Sequence, residues 1–170
     1  MSLFRACAKV SFVNNEPRTQ VWLEARLALI WTRSFPDLEP ANEVVIRYGQ
    51  MARTRFGSIR LSRDKKVSKI LINRLFQLER VPLEVVDVTI AHELIHYLHG
   101  FSSPFEQKFS TPHAGGVVTK ELKKRGFENA LKIEKKWLAE QWPHLVREHL
   151  PLRRRVVRRR RGAWAWLRLK

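Results

Sequence analysis

The chain has 170 residues, 44% of them hydrophobic, and its 33 lysines and arginines against 16 acids give a formal net charge of +17. Its single cysteine, Cys7, excludes an intramolecular disulfide framework and fits a reducing compartment. No apolar run reaches the roughly 18 residues of a membrane span, and the N-terminal segment lacks the apolar core of a secretion signal. We therefore expect a cytoplasmic protein with one domain over residues 1–150, its core at 19–142, and a basic tail over residues 151–170.

The first part of the chain predicts one helix followed by three strands. Residues 19–35 carry apolar side chains close to helical spacing, and Pro36 ends that pattern. Residues 42–48, 56–61 and 67–73 carry β-branched or alternating apolar residues between turn-forming or charged stretches. This order predicts an α+β fold in which a small sheet of three or four strands packs on helices. A free edge of such a sheet could accept an extended peptide as an additional strand.

A second helix is predicted from Pro82, a residue suited to a first helical position, to the stop at Gly100. It contains the pattern His-Glu-x-x-His, from His92 to His96. Two imidazoles four residues apart lie on one side of a helix and can bind one metal ion, whereas Glu93 is turned by about 100°. Neutral imidazole suits zinc, and a carboxylate beside a zinc-activated water can act as general base and acid. The competing interpretation is a pair of buried histidines satisfied by hydrogen bonds.

A catalytic zinc ion takes three protein ligands, and the third is predicted less sharply. His99 lies too far along the same rigid helix and is interpreted as a packing or supporting residue. His113 follows a loop in which Thr111 can cap, and Pro112 can start, another helix, so that it would approach the metal from a separate element. His113 is the preferred third ligand. Two carboxylates remain as alternatives, Glu106 and Glu121.

Two further helices are predicted over residues 117–125 and 129–142. Gly126 separates them, and Pro143 is expected to close the second. Trp137 and Trp142, at the end of this region, are interpreted as core or groove residues rather than as a binding platform.

The tail, residues 151–170, contains eight arginines, one lysine and no acid. Such a segment is expected to be poorly ordered alone. Three roles compete: a solvated terminus without a partner, attachment to nucleic acid through phosphate contacts, and binding to an anionic membrane surface. The arginines assigned to nucleic-acid contact are Arg153, Arg154, Arg155, Arg158, Arg159, Arg160 and Arg161.

Residues 70–75, Pro82, the pattern at 92–96, His113 and the Gly-bearing helix after it resemble the SprT-like zinc metallopeptidase domain, which includes the Spartan-type proteases that degrade proteins crosslinked to DNA. Residues 55–58, Arg-Phe-Gly-Ser, resemble a strand of the related YgjP-type minimal metallopeptidases. The resemblance covers about residues 20–140. It implies a gluzincin-like fold whose active-site helix carries the motif, with zinc on the two motif histidines and His113, and with Glu93 as the catalytic residue.

The chain departs from the family at two places. The usual His-Gly pair is His113-Ala114 here, and a chain with one cysteine cannot build the C-terminal zinc ribbon that many SprT-like proteins carry. The sequence thus predicts an endopeptidase with one Zn²⁺ per chain, a protein or peptide substrate, and DNA as a further partner through the tail. The rival hypothesis is a basic nucleic-acid-binding protein with a structural metal, or none, and no proteolysis. A zinc hydrolase of non-peptide amides is a third.

Overall fold

The computed structural model describes residues 17–151. It contains five α-helices and a three-stranded sheet, which confirms the predicted α+β class. No helix in this part of the chain is both long and apolar enough to cross a membrane. The elements, in chain order, are α1 (Gln20–Ser34), β1 (Glu43–Tyr48), β2 (Gly57–Leu61), β3 (Val67–Ile72), α2 (Leu83–Leu98), α3 (Val117–Lys124), α4 (Glu128–Glu140) and α5 (Trp142–His149), with 3-10 turns at Arg74–Gln77 and Ala114–Gly116.

The sheet has the order β1-β3-β2, with β3 parallel to β1 and antiparallel to β2. Alternation of side chains along β3 buries Ser68, Ile70 and Ile72 on the face that meets the helices. Lys69 points to the opposite face, where it lies directly across from Arg60 of β2 in the antiparallel register. The inner face of the sheet is therefore largely apolar, and the outer face carries the basic side chains of Arg60 and Lys69. Within residues 17–151, β2 is paired on one side only.

Helix α2 lies at the centre of the core and contacts α1, α3, α4 and the strands β2 and β3. Eleven of its residues are buried, among them Val85, Ile90 and Leu94. Near its C-terminal end the Tyr97 hydroxyl accepts a hydrogen bond from the Ala41 amide (2.9 Å) and donates one to Oδ1 of Asn42 (2.9 Å). A helix held on all sides fixes the orientation of the polar side chains it carries, because a packed core resists displacement.

Two proline-based predictions are wrong. Pro143 does not close a helix but lies in the first turn of α5, where its missing N–H costs nothing because that donor has no intrahelical partner. Pro112 does not start one either, since α3 begins at Val117. The reason is the backbone of Gly115 (φ 59°) and Gly116 (φ 70°), whose left-handed conformation interrupts any helix continuing from Pro112.

Candidate metal centre

Three histidines from two parts of the chain meet at one end of the core. His92 and His96 lie one turn apart on α2, and His113 comes from the loop between α2 and α3. One nitrogen of each ring lies within 4.8 Å of the others, and the ring centroids are 4.6, 4.8 and 5.1 Å apart. Burial decreases from His96, which is buried, through His92 to the exposed His113. The three side chains could hold a metal ion that remains accessible from solvent.

The loop after α2 folds back over the end of the helix and brings His113 to the other two histidines. Gly100 has a left-handed backbone (φ 81°), and a β-carbon at this position would lie 2.3 Å from the carbonyl oxygen of Glu106. The Lys108 amide donates to the carbonyl oxygen of His99 (3.0 Å), and the Ser103 hydroxyl donates to that of Tyr97 (2.7 Å). Gly100, predicted as a helix stop, thus also permits a close backbone contact within the loop.

The imidazoles of α2 have the electrostatics of metal ligands. Burial, with the neighbouring histidines as a second cause, lowers the pKa of His92 to about 4 and that of His96 to about 3. Both rings are therefore neutral at pH 7 and offer a lone pair. Nδ1 of His96 is buried without a hydrogen-bond partner among the described residues. An unsatisfied buried polar atom costs about 1–3 kcal/mol, so this imidazole fits a site where a cation interacts with the ring.

Glu93 lies on α2 beside the histidines and is 5% exposed. Burial raises the pKa of its carboxyl to about 8. The side chain packs against the edge strand β2: a β-carbon at Gly57 would lie 2.5 Å from Oε1 of Glu93 and 2.9 Å from Cγ2 of Thr89. A strand with any larger residue at position 57 could not come this close to the carboxylate.

A cavity of about 350 Å³ opens beside this carboxylate. One wall is the segment that leads into β2, and the other is formed by α2 and α4. The residues that line it are Thr54, Arg55, Phe56, Gly57, Thr89, His92, Glu93 and Glu134. The cavity therefore joins one histidine of the metal-capable group, the buried carboxylate and the start of an edge strand in one space.

Glu134 is a site residue that the sequence did not single out. It lies on α4, is partly buried in the cavity wall, and burial raises its pKa to about 7. One signal was available: helical spacing places Glu134 on the same face as Leu131 and Leu138, which pack against the core. An acid within an apolar helix stripe is a reason to look for a polar cavity.

The other proposed ligands lie elsewhere. Glu121 is ion-paired with Nε of Arg125 (2.9 Å), and Glu106 is exposed on the loop after α2. His99 is 5% exposed and packs on Phe109, with ring centroids 4.9 Å apart. In the part of the chain that the structure describes, none of these three joins the metal-capable group.

The arginines at 153–155 and 158–161 lie outside the described residues, and the same is true of Cys7. Comparison of the chain with family models, with curated proteins and with solved structures finds no match in any of the three.

Proposed function

We propose that the protein is a zinc-dependent endopeptidase of the SprT-like, gluzincin-like type. The observation that carries this proposal is the meeting of three imidazoles whose ligand atoms lie within 4.8 Å, beside a buried glutamate on the same helix. Imidazole nitrogens favour zinc among the abundant divalent ions, and three protein ligands with an open side are typical of a catalytic site. The ligands would be His92, His96 and His113.

When bound, zinc would act as a Lewis acid toward the carbonyl group of the scissile bond. The protein's own part in the reaction falls to Glu93. Its carboxylate would take a proton from the attacking water and pass it to the leaving amine, so that the proton is carried by one group throughout. A nearby cation favours the ionised carboxylate, and would thereby counteract the burial that raises the pKa of this group.

The fold also offers a place for a peptide. Strand β2 has a free edge within residues 17–151, and its first residue, Gly57, touches Glu93. An extended substrate could pair with this edge through main-chain hydrogen bonds, which require no particular side chains. Such a mode of binding would hold a backbone carbonyl near the carboxylate. It supports cleavage of extended polypeptide rather than of a small amide.

The test uses the full-length protein, its zinc content and its cleavage of casein. We expect one zinc per chain in the parent and in Glu93→Gln, with cleavage lost only in the variant. His113→Ala should weaken zinc binding by more than about 100-fold, because loss of a direct ligand exceeds the effect of losing a supporting contact. Glu106→Gln is the matched control, since this exposed loop carboxylate lies outside the histidine group, and it should retain both zinc and activity.

Unchanged cleavage by Glu93→Gln would refute the role of that residue. A parent protein that binds one zinc ion but cleaves no polypeptide would refute the peptidase and leave a structural metal in a basic binding protein. A parent without affinity for zinc would refute the assignment as a whole.

A further inference from the structure

Glu134 is an acid without a partner in the wall of the cavity beside Glu93. It is half-buried on α4, and within residues 17–151 its carboxylate makes no hydrogen bond and no ion pair. It is also not part of the histidine group that could hold a metal ion. Carboxylates are rarely held away from water without a partner, because desolvation of the charge costs free energy. An acid in this position fits a ligand that supplies the missing positive charge.

Helix α4 itself supplies no counter-charge to Glu134. The residues one turn before and one turn after it are apolar and pack against the core: Ala130, Leu131, Trp137 and Leu138. The lysines of α4 are exposed instead, and Nζ of Lys132 lies 3.9 Å from Oε1 of Glu128. The sequence of α4 thus places a cation beside an acid of its exposed face and none beside the acid in the cavity wall.

Two other charged side chains line the cavity, and neither takes the place of Glu134 or neutralises it. Glu93 is 5% exposed and packs against Gly57, so its carboxylate offers little surface to a ligand. Arg55 belongs to the opposite wall, is exposed, and makes no ion pair with Glu134. Water screens an exposed charge more than a half-buried one. Glu134 is therefore the acid of this cavity that a ligand can reach.

The chemistry of the cavity suits a compact cation on an apolar stem. Phe56 and the methyl group of Thr89 line the same space as the carboxylate of Glu134. A guanidinium group carries five donors in a fixed plane, and one reachable acid would leave several of them unpaired, whereas an ammonium group is a compact charge with three donors. A polypeptide presents a primary ammonium group at two places, the lysine side chain and the N-terminus of the chain.

We propose that Glu134 forms a subsite that binds a primary ammonium group of a polypeptide substrate. The subsite rests on the proposed function for the nature of its ligand, an extended polypeptide, and adds which group of that ligand the cavity selects. A peptide paired with the free edge of β2 would direct every second side chain toward the helices, the side on which Glu134 lies. A bound ammonium would also counteract the burial that raises the pKa of Glu134 to about 7.

The first test measures peptide binding by isothermal titration calorimetry with zinc-loaded, full-length Glu93→Gln, in which cleavage cannot consume the ligand. Three N-acetylated peptides of otherwise identical sequence carry lysine, acetyl-lysine or norleucine at the central position, and the fourth is the norleucine peptide with a free N-terminus. We expect an ammonium-bearing peptide to bind about 10- to 100-fold more tightly than the acetylated norleucine peptide, the range of one charge-assisted hydrogen bond. A gain for the lysine peptide assigns the subsite to side chains, and a gain for the free N-terminus assigns it to the amino end of the substrate.

The preference should depend on the charge of Glu134. In the same background, Glu134→Gln keeps the shape of the side chain, and we expect it to reduce the preference for an ammonium group to less than about twofold. Glu140→Gln is the matched control, because it removes an exposed acid of the same helix, and it should keep the preference. A preference that persists in Glu134→Gln, or that both variants lose equally, would overturn the subsite. Equal binding of all four peptides would do the same.

The second test uses the unaltered protein after treatment with EDTA, so neither a change of fold nor cleavage of the peptide can affect it. A carbodiimide joins a carboxylate to a primary amine in contact with it by forming an amide, and takes up the water itself to become a urea. We expect mass spectrometry to find the ammonium-bearing peptide linked to Glu134 at least about fivefold more often than to the exposed Glu140. Links at exposed acids with none at Glu134 would refute the site.

These measurements distinguish failure of the subsite from failure of the proposed peptidase, because binding and crosslinking require no cleavage. A parent protein that links ammonium peptides to Glu134 but cleaves no polypeptide would refute the peptidase and retain the subsite. A parent that cleaves casein, with neither an ammonium preference nor a link at Glu134, would refute the subsite alone.

Discussion

Replacement of Glu93 by glutamine should stabilise the metal-free protein, and the gain should grow with pH. Burial moves the pKa of this carboxyl from 4.5 to about 8 in the folded protein. Below pH 4.5 the group is protonated in both the folded and the unfolded state. Above pH 8 it is ionised in both, and the folded state then holds a buried charge. Stability is therefore lost as pH rises through this window, whereas glutamine stays neutral.

The size of the effect follows from the two pKa values. Each tenfold change in the proton equilibrium corresponds to about 1.4 kcal/mol, which gives an upper limit of about 5 kcal/mol. Water that enters the cavity reduces the cost of the charge, so we expect Glu93→Gln to gain about 3–5 kcal/mol above pH 8 and almost nothing at pH 4.5. The nearby histidines titrate in both proteins, and their contribution largely cancels in the difference.

Urea unfolding after treatment with EDTA, at each pH unit from 5 to 9, measures this difference. Glu140→Gln, which removes an exposed acid of α4, is the control for the loss of one carboxyl group. Saturating zinc should abolish the advantage of Glu93→Gln, because a cation stabilises the ionised carboxylate. A difference that is the same at every pH would show that Glu93 is hydrated, and would refute the reasoning from burial.

Three further outcomes are expected. Gly57→Ala places a β-carbon 2.5 Å from Oε1 of Glu93, so it should cost about 1–3 kcal/mol of stability and lower kcat/KM by at least about tenfold. Gly49→Ala, whose nearest contact would be 3.5 Å, should change stability and activity only slightly. Urea denaturation measures the stability of each variant, and casein cleavage measures its activity. Tyr97→Phe leaves the Ala41 amide without its hydroxyl acceptor and should cost about 1–3 kcal/mol in urea unfolding. The two α2 histidines, whose folded pKa values lie near 4 and 3, contribute stability that is lost as pH falls from 6.5 toward 4, whereas Glu93 contributes in the opposite direction. Metal-free Glu93→Gln, which lacks the opposing carboxyl, should therefore lose thermal stability more steeply than the parent as pH falls over this range, and zinc should reduce the loss at pH 6.

Local signals were sufficient for the first two thirds of the fold. Thr19 was placed at the start of the first predicted helix, and its hydroxyl accepts a hydrogen bond from the Trp22 amide at the beginning of α1. Strands predicted at 42–48, 56–61 and 67–73 differ from the observed ones by one residue at an end, because alternation of apolar side chains depends only on neighbours. Pro143 misled the prediction because proline is compatible both with the end of one helix and with the first turn of the next.

The candidate site likewise contains some residues that local sequence signals predict and others that only long-range contacts bring together. A spacing of four on one helix was enough to bring His92 and His96 together. The position of His113 depends on a loop whose path is set by a left-handed glycine and by contacts back to α2, so the sequence favoured His113 but left Glu106 and Glu121 as alternatives. Glu134 reaches the cavity only because α4 packs against α2, and that contact joins segments far apart in the chain.

The short segment of residues 54–57 borders two cavities of the fold. It lines the cavity beside Glu93, and it also lines a second cleft, of about 840 Å³, together with Arg53, Arg60 and Arg74. Asn73 fixes both walls at once, because its amide donates to the Arg55 carbonyl oxygen and its own backbone N–H donates to that of Phe56 (2.8 Å). A shift of this loop would therefore displace Arg55 and the edge beside Glu93 together.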